Sequence, residues 1–79
     1  MITITIKTNN VRKSINEDIN ETPRSVLTNQ VGMTVDRTRQ VSLSGMQLDD
    51  EELDMTFAAL GVEENSDVVL SAIVKGDGA

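Results

Sequence analysis

The chain begins with a strict alternation of apolar and polar residues. Ile2, Ile4 and Ile6 are separated by threonines, and this period of two in β-branched residues is typical of a strand with one buried face. The asparagine pair that follows predicts a turn, because asparagine tolerates left-handed backbone angles. A weaker strand from Val11 to Ile15 completes a predicted hairpin, although Lys13 falls on its apolar face.

A helix is predicted to begin at Thr22-Pro23. Thr22 can accept from the first free N–H groups, and Pro23 suits the first helical position, where no N–H is needed. Three apolar residues follow at helical spacing: Val26, Leu27 and Val31. Gly32 favours termination, so the helix is about 8–10 residues long and depends on packing against the strands.

The second half of the chain predicts two further strands before a long terminal one. Arg39 to Ser44 is read as the third strand, and Gln47-Leu48 as a short fourth strand after a turn at Gly45-Met46. The most apolar segment, Val68 to Val74, predicts the final strand. A continuous apolar pattern of this kind suits a central place in a sheet.

Between the fourth and final strands lies an acidic stretch followed by an apolar cluster. Asp49 to Asp54 contains five acidic residues and is interpreted as a solvated acidic loop. Phe57 and Leu60 then stand at helical spacing before Gly61, which predicts one short helical turn from Met55 to Leu60.

These elements together predict an α+β fold. The hairpin, the helix and the later strands form a mixed sheet of four to five strands, with the first and last strands parallel at its centre and one helix packed on it. Residues 1–75 make a single domain, and residues 76–79 a polar, flexible tail. Four leucines are expected in the core: Leu27, Leu43, Leu60 and Leu70.

Composition narrows the function classes. The 13 acidic and 7 basic residues give a net charge of −6, which disfavours nucleic acid and anionic membrane surfaces. A partner is therefore expected to be a neutral or basic protein. No apolar run approaches the ~20 residues of a membrane span, and the alternating N-terminus does not resemble a signal peptide. We expect a cytoplasmic protein.

The side chains that most often carry chemistry are scarce. The chain has no cysteine and no histidine, so the commonest zinc ligands and general base are missing and its serines have no histidine to activate them. The acidic stretch lacks the spacing and turn glycine of an EF-hand loop. We expect no catalytic residue, no metal and no cofactor, and hence no enzyme.

Several segments resemble the ubiquitin family. Gly45-Met46-Gln47-Leu48-Asp49-Asp50 is similar to that family's Gly-Lys-Gln-Leu-Glu-Asp segment, and the first strand likewise ends in Lys7-Thr8. The spacing from Val62 into Val68 and the Leu60-Gly61-Val62 run are also typical of ubiquitin-like domains. The resemblance covers nearly the whole chain and implies a ubiquitin-like β-grasp fold.

The resemblance also directs attention to the tail. Conjugated members of the family end in a diglycine whose carboxylate is activated by an enzyme. The matching segment here is Lys75-Gly76-Asp77-Gly78-Ala79, in which Asp77 separates Gly76 from Gly78. Full-length conjugation is therefore not expected, whereas trimming after Gly76 or Gly78 would expose a glycine carboxylate.

The recognition face of the family is apolar, and here its counterpart is mostly polar. Ser42 and Ser71 occupy positions that match apolar residues of that face, while Val69 supplies apolar character. Val69 and Ile73 are expected to point away from the helix, either covered by the tail and the short helical turn or exposed as a contact strip. The acidic residues Asp49, Asp50, Glu51 and Glu52 form a second expected contact surface.

Three hypotheses follow from these features. The first is a non-catalytic protein–protein interaction module that is not conjugated in its full-length form. Ubiquitin-like proteins of bacterial type VII secretion loci are similar in length and lack a diglycine tail, a likeness at the level of the fold. The second is a modifier or sulfur-carrier precursor, which requires a tail protease and an activating enzyme. The third is a subunit of a larger enzyme complex.

Overall fold

A computed structural model describes residues 1–35 and 39–74. In these ranges the chain forms, in order, β1 (Ile2–Thr8), β2 (Arg12–Glu17), α1 (Pro23–Val31), β3 (Arg39–Leu43), β4 (Met46–Leu48), α2 (Asp50–Leu53) and β5 (Asp67–Val74). The predicted domain boundary at residue 75 and the tail of residues 76–79 lie outside the described residues.

The strands form one five-stranded mixed sheet in the order β2-β1-β5-β3-β4. β1 and β5 are parallel, with Ile4 opposite Val68 and Ile6 opposite Leu70, while the other neighbouring strands are antiparallel. The predicted parallel pairing of the first and last strands is confirmed, and β5 lies at the centre of the sheet.

The core lies between the inner face of the sheet and α1. Ile2, Ile4 and Ile6 are buried, as their alternation predicted. The other large, fully buried apolar side chains come from every part of the chain: Val26, Leu27, Val41, Phe57 and Leu70. Of the four leucines expected in the core, Leu27, Leu43 and Leu70 are buried, whereas Leu60 is only half-buried.

The ends of α1 follow the local sequence. The Thr22 hydroxyl accepts a hydrogen bond from the N–H of Ser25 at 3.2 Å, and Pro23 is the first helical residue. Gly32 ends the helix with a φ of +64°, a left-handed conformation that glycine adopts at little cost. Both predicted helix boundaries are therefore confirmed.

The position of Lys13 on the inner side of β2 has a local explanation. Its Nζ atom donates a hydrogen bond to the backbone carbonyl of Gln30 at 2.6 Å. That carbonyl belongs to the last turn of α1, where free carbonyl groups attract cations. The aliphatic stem of Lys13 thus covers apolar surface while its charge caps the helix.

The acidic stretch is not a loop, and the interpretation of it as one was wrong. Residues 50–53 form α2, with Asp49 as its N-cap. The Asp49 carboxylate accepts from the N–H of Glu52 at 2.8 Å, and the Glu52 carboxylate accepts from the N–H of Asp49 at 3.0 Å. This reciprocal capping box satisfies N–H groups at the start of the helix and favours acidic residues there.

The chain after α2 makes the expected helical turn. The N–H of Leu60 donates to the carbonyl of Thr56 at 3.0 Å, and Phe57 is fully buried. Gly61 follows with a φ of +93°. In the described part of the chain, no helix has the length and apolar character needed to cross a membrane.

Candidate interaction surface

The outer face of the sheet is the side opposite α1 and the core. Side chains alternate along each strand, so the strand registers define this face. Its members are Thr3, Thr5, Lys7, Arg12, Ser14, Asn16, Gln40, Ser42, Gln47, Asp67, Val69, Ser71 and Ile73. Hydroxyl and amide groups dominate this face, as the sequence predicted for this chain's counterpart of the apolar recognition face of the ubiquitin family.

The four predicted contact residues on the sheet lie together. Ser42 of β3 stands directly opposite Ser71 of β5, and Ile73 stands opposite Gln40. Val69 lies on the same side of β5, two residues before Ser71 and opposite Thr5 of β1. The structure therefore brings these four side chains into one strip along the central strand.

Ile73 is the most exposed apolar side chain of this strip. Its side chain is 44% exposed, whereas Ser42, Val69 and Ser71 are half-buried. Because an exposed isoleucine gains free energy when a partner covers it, Ile73, at the C-terminal end of the strip, is its main apolar contact residue.

Polar side chains on the outer face bind one another across neighbouring strands. The Thr3 hydroxyl lies 3.1 Å from Asn16 Oδ1, and the Thr5 and Ser14 hydroxyls lie 3.2 Å apart. These cross-strand pairs hold the face between β1 and β2 in a fixed arrangement. On the other side of the strip, Gln40, which stands opposite Ile73, donates an amide hydrogen bond to Gln47 at 3.5 Å, so paired polar side chains flank the Val69–Ile73 strip on both sides.

The acidic residues of the second predicted surface have two different roles. Asp49 and Glu52 form the capping box of α2, so their carboxylates are engaged locally. Asp50 and Glu51 are exposed. Within residues 1–35 and 39–74, no group of three acidic side chains lies close enough to hold a metal ion. The acidic surface available to a partner is thus smaller than the sequence suggested.

Two features of the surface were not found by sequence reasoning. Asp54 binds Arg24, with Nε of the arginine 2.8 Å from Oδ1 of the aspartate, although the two residues stand far apart in sequence. Ser44 has a φ of +48° and its hydroxyl accepts from the N–H of Val69 at 3.1 Å. Neither contact leaves a local pattern, because each joins segments that meet only after folding.

An open pocket lies at one end of the sheet and was also not foreseen. It has a volume of about 400 Å³ and lies between the β3–β4 turn and the segment of residues 60–68. We name it the end pocket; its apolar walls are Leu43, Met46, Leu60, Val62 and Val68. Leu60 is half-buried because it packs against the edge of the core on one side and faces this open space on the other.

Comparison with known proteins supports the architecture. No protein-family model matches the sequence, and no curated protein matches it. Among solved structures, the chain is similar to the ubiquitin-like domain of an Arabidopsis thaliana protein determined by NMR in solution, with a TM-score of 0.67 and 18% identity. The alignment covers 99% of this chain and 81% of that one. The chain has a ubiquitin-like β-grasp fold.

Proposed function

We propose that this protein is a non-catalytic, cytoplasmic protein–protein interaction module that is not conjugated in its full-length form. The observation that carries the proposal is the Val69–Ile73 strip, in which an exposed isoleucine follows the half-buried residues Val69 and Ser71 along the central strand. Interfaces gain most of their affinity from a few apolar anchors surrounded by polar groups. A ubiquitin-like fold bearing such a strip is suited to protein recognition.

The chemistry of the side chains also favours binding over catalysis. The chain has neither cysteine nor histidine, and every fully buried side chain in the described ranges is apolar. Catalytic acids and bases acquire useful pKa values through burial and charged neighbours. In the described ranges the core contains no titratable side chain. The titratable and polar side chains of the domain therefore act at its surface.

A neutral or basic protein fits the charge of the chain. The net charge of −6 repels acidic surfaces and attracts basic ones over about a Debye length, ~8 Å at physiological ionic strength. Complementary charge raises the association rate more than the final affinity. The partner is therefore expected to associate faster at low salt.

The alternative is a modifier or sulfur-carrier precursor, and the two glycines of the tail favour it. Trimming after Gly76 or Gly78 would produce a terminal glycine that an activating enzyme can accept. This function requires a tail protease as well as the activating enzyme. The interaction module requires neither, because the folded surface carries its activity.

Surface variants test the interaction module directly. Immobilised wild-type protein and three variants are compared for the proteins they retain from a lysate of the native host. Ile73→Ser is expected to lose the main partner, whereas Asn29→Lys, an exposed change on α1, is the control and should retain it. Loss of the partner with Glu51→Lys but not with Ile73→Ser would show that the partner contacts the acidic residues of α2 and not the strip.

A result in which all of these variants retain the same proteins equally would contradict the proposed contact surface. The tail is tested in parallel with a form that ends at Gly76. Because the strip belongs to the sheet, this shortened form is expected to retain the same partner as the full-length chain.

A further inference from the structure

The end pocket combines apolar walls with a fixed frame. Leu43 is buried at its base, Leu60 and Val62 are half-buried, and Met46 is 42% exposed at its edge. Its volume of about 400 Å³ lies within the roughly 300–1,000 Å³ of small-ligand sites. This open pocket has room for an apolar side chain and its neighbouring residue.

Hydrogen bonds to backbone carbonyls hold the frame of the pocket. Val62 donates to the carbonyl of Phe57 at 2.9 Å, and the Ser66 hydroxyl donates to the carbonyl of Glu63 at 2.6 Å. On the opposite wall, the N–H of Ser44 donates to the carbonyl of Val69 at 2.7 Å. A frame fixed before binding lowers the conformational cost of binding a ligand.

Carboxylates gather at the end of the sheet that carries the pocket, while the acidic residues of α2 lie toward the opposite end. At the pocket end, the start of β1 meets the end of β2 and the start of β5, as the pairs Ile2–Glu17 and Thr3–Asp67 show. The carboxylates of this end are Glu17, Asp18, Glu63, Glu64 and Asp67. In the described strands, the basic residues lie at the other end: Lys7, Arg12, Lys13 and Arg39.

Glu63 is the carboxylate of this end that also borders the pocket. It is exposed, and within the described ranges its side chain forms neither an ion pair nor a hydrogen bond. The neighbouring Glu64 instead binds the ammonium group of Met1. An apolar cavity with a free carboxylate at its edge is complementary to an aliphatic side chain followed by a cation.

We infer that the end pocket binds a basic segment of a partner protein. An aliphatic side chain of that segment occupies the apolar walls, and an adjacent lysine or arginine approaches Glu63. This assignment rests on the proposed interaction function and adds a second contact region, distinct from the Val69–Ile73 strip. The pocket borders the start of β5 at Val68, whereas Ile73, the exposed apolar residue of the strip, lies near the other end of that strand.

The probe for this site is N-acetyl-leucyl-argininamide, added at millimolar concentration to isotope-labelled full-length protein. Amide chemical shifts are expected to change at Ser44, Met46 and Val62 through Ser66, and added salt should weaken the binding. N-acetyl-glycyl-argininamide lacks the aliphatic group, and N-acetyl-leucyl-glutamate reverses the charge. Both control probes are expected to leave these shifts nearly unchanged.

Matched charge variants separate Glu63 from the net charge of the protein. Glu63→Lys is expected to weaken binding of the probe about fivefold, in keeping with an exposed ion pair. The double variant Thr28→Lys/Asn29→Lys makes the same change in net charge at exposed positions of α1, outside both surfaces, and should alter the affinity less than twofold. Equal weakening by the two variants would overturn the role of Glu63, and the spectrum of each variant shows whether it is folded.

The remaining outcomes also decide the question. Shifts confined to Ser42, Ser71 and Ile73 would overturn the pocket assignment while leaving the interaction function in place. An absence of shifts with N-acetyl-leucyl-argininamide would overturn it as well. Concentration-dependent shifts of the pocket residues without any probe would show that a second copy of the chain occupies the pocket, and would likewise contradict the inference.

Discussion

At the scale of single residues, Lys13 shows how a polar side chain is accommodated on an inner strand face. Alternation along β2 places it toward the core, and the sequence alone presents this as a conflict. The acceptor that resolves the conflict, the carbonyl of Gln30, lies 17 residues away on α1. Sequence pattern predicts the side of the strand, but the partner depends on how the helix packs on the sheet.

Replacing Lys13 by methionine tests this contact. Lys13→Met keeps most of the aliphatic stem and removes the charged donor, so we expect a loss of about 1–2 kcal/mol in the free energy of unfolding. Urea denaturation measures it. The control is Arg12→Met at an exposed position of the same strand, for which a change within about 0.5 kcal/mol is expected. Equal losses of stability in the two variants would mean that the hydrogen bond from Lys13 to Gln30 makes no specific contribution.

The leucines provide a second test at this scale, because they differ in burial. Leu27→Ala, Leu43→Ala and Leu70→Ala should each cost ~2–5 kcal/mol, since each leaves a cavity in the core. Leu60→Ala should cost less, about 1–2 kcal/mol, because Leu60 already faces the open end pocket. A larger loss in the free energy of unfolding for Leu60→Ala than for the other three variants, measured from denaturation curves, would contradict the half-buried position of Leu60.

At the scale of elements, the boundaries of α1 were predictable and the nature of α2 was missed. Thr22-Pro23 and Gly32 are local signals, and each acts where the sequence places it. The segment Asp49-Asp50-Glu51-Glu52 also carries the spacing of a capping box, yet its charge was interpreted as a sign of a solvated loop. A helix of four residues is too short for helix propensity to reveal it. The capping-box spacing was therefore the one sequence signal that indicated a helix here.

The N-cap of α1 has a measurable contribution. Thr22→Ala removes the acceptor for the N–H of Ser25 and is expected to lower the free energy of unfolding by about 1 kcal/mol. Asn29→Ala, an exposed change within the same helix, should leave stability unchanged or slightly increased because alanine favours helix. A destabilised Asn29→Ala with an unaffected Thr22→Ala would contradict the assigned cap.

At the scale of the whole molecule, the order of strands follows from a few apolar patterns, whereas the surfaces do not. The alternation of β1 and the apolar run of β5 were sufficient to predict their central parallel pairing. The Val69–Ile73 strip was named from the sequence through its resemblance to the ubiquitin family. The end pocket was not predicted, because it depends on which strand ends meet.

The central claim concerns the whole molecule as well: the folded surface acts without conjugation of the full-length chain. The predicted reason lies in the tail, where Asp77 separates Gly76 from Gly78. An activating enzyme receives the tail in a channel suited to bare glycine backbone, and the charged side chain of Asp77 is expected to obstruct that channel. Shortening the chain after Gly76 removes residues beyond the last strand, so the free energy of unfolding should change by no more than about 0.5 kcal/mol.

The most direct measurement is a charging assay on three forms of the protein: full-length, ending at Gly76 and ending at Gly78. Each is incubated with ATP and the activating enzymes of the native host, and mass spectrometry detects adenylate, thioester or isopeptide products. We predict that none of the three forms is charged and that all three bind the same partner equally. Covalent attachment of either shortened form to host proteins would contradict the account and identify the protein as a modifier precursor.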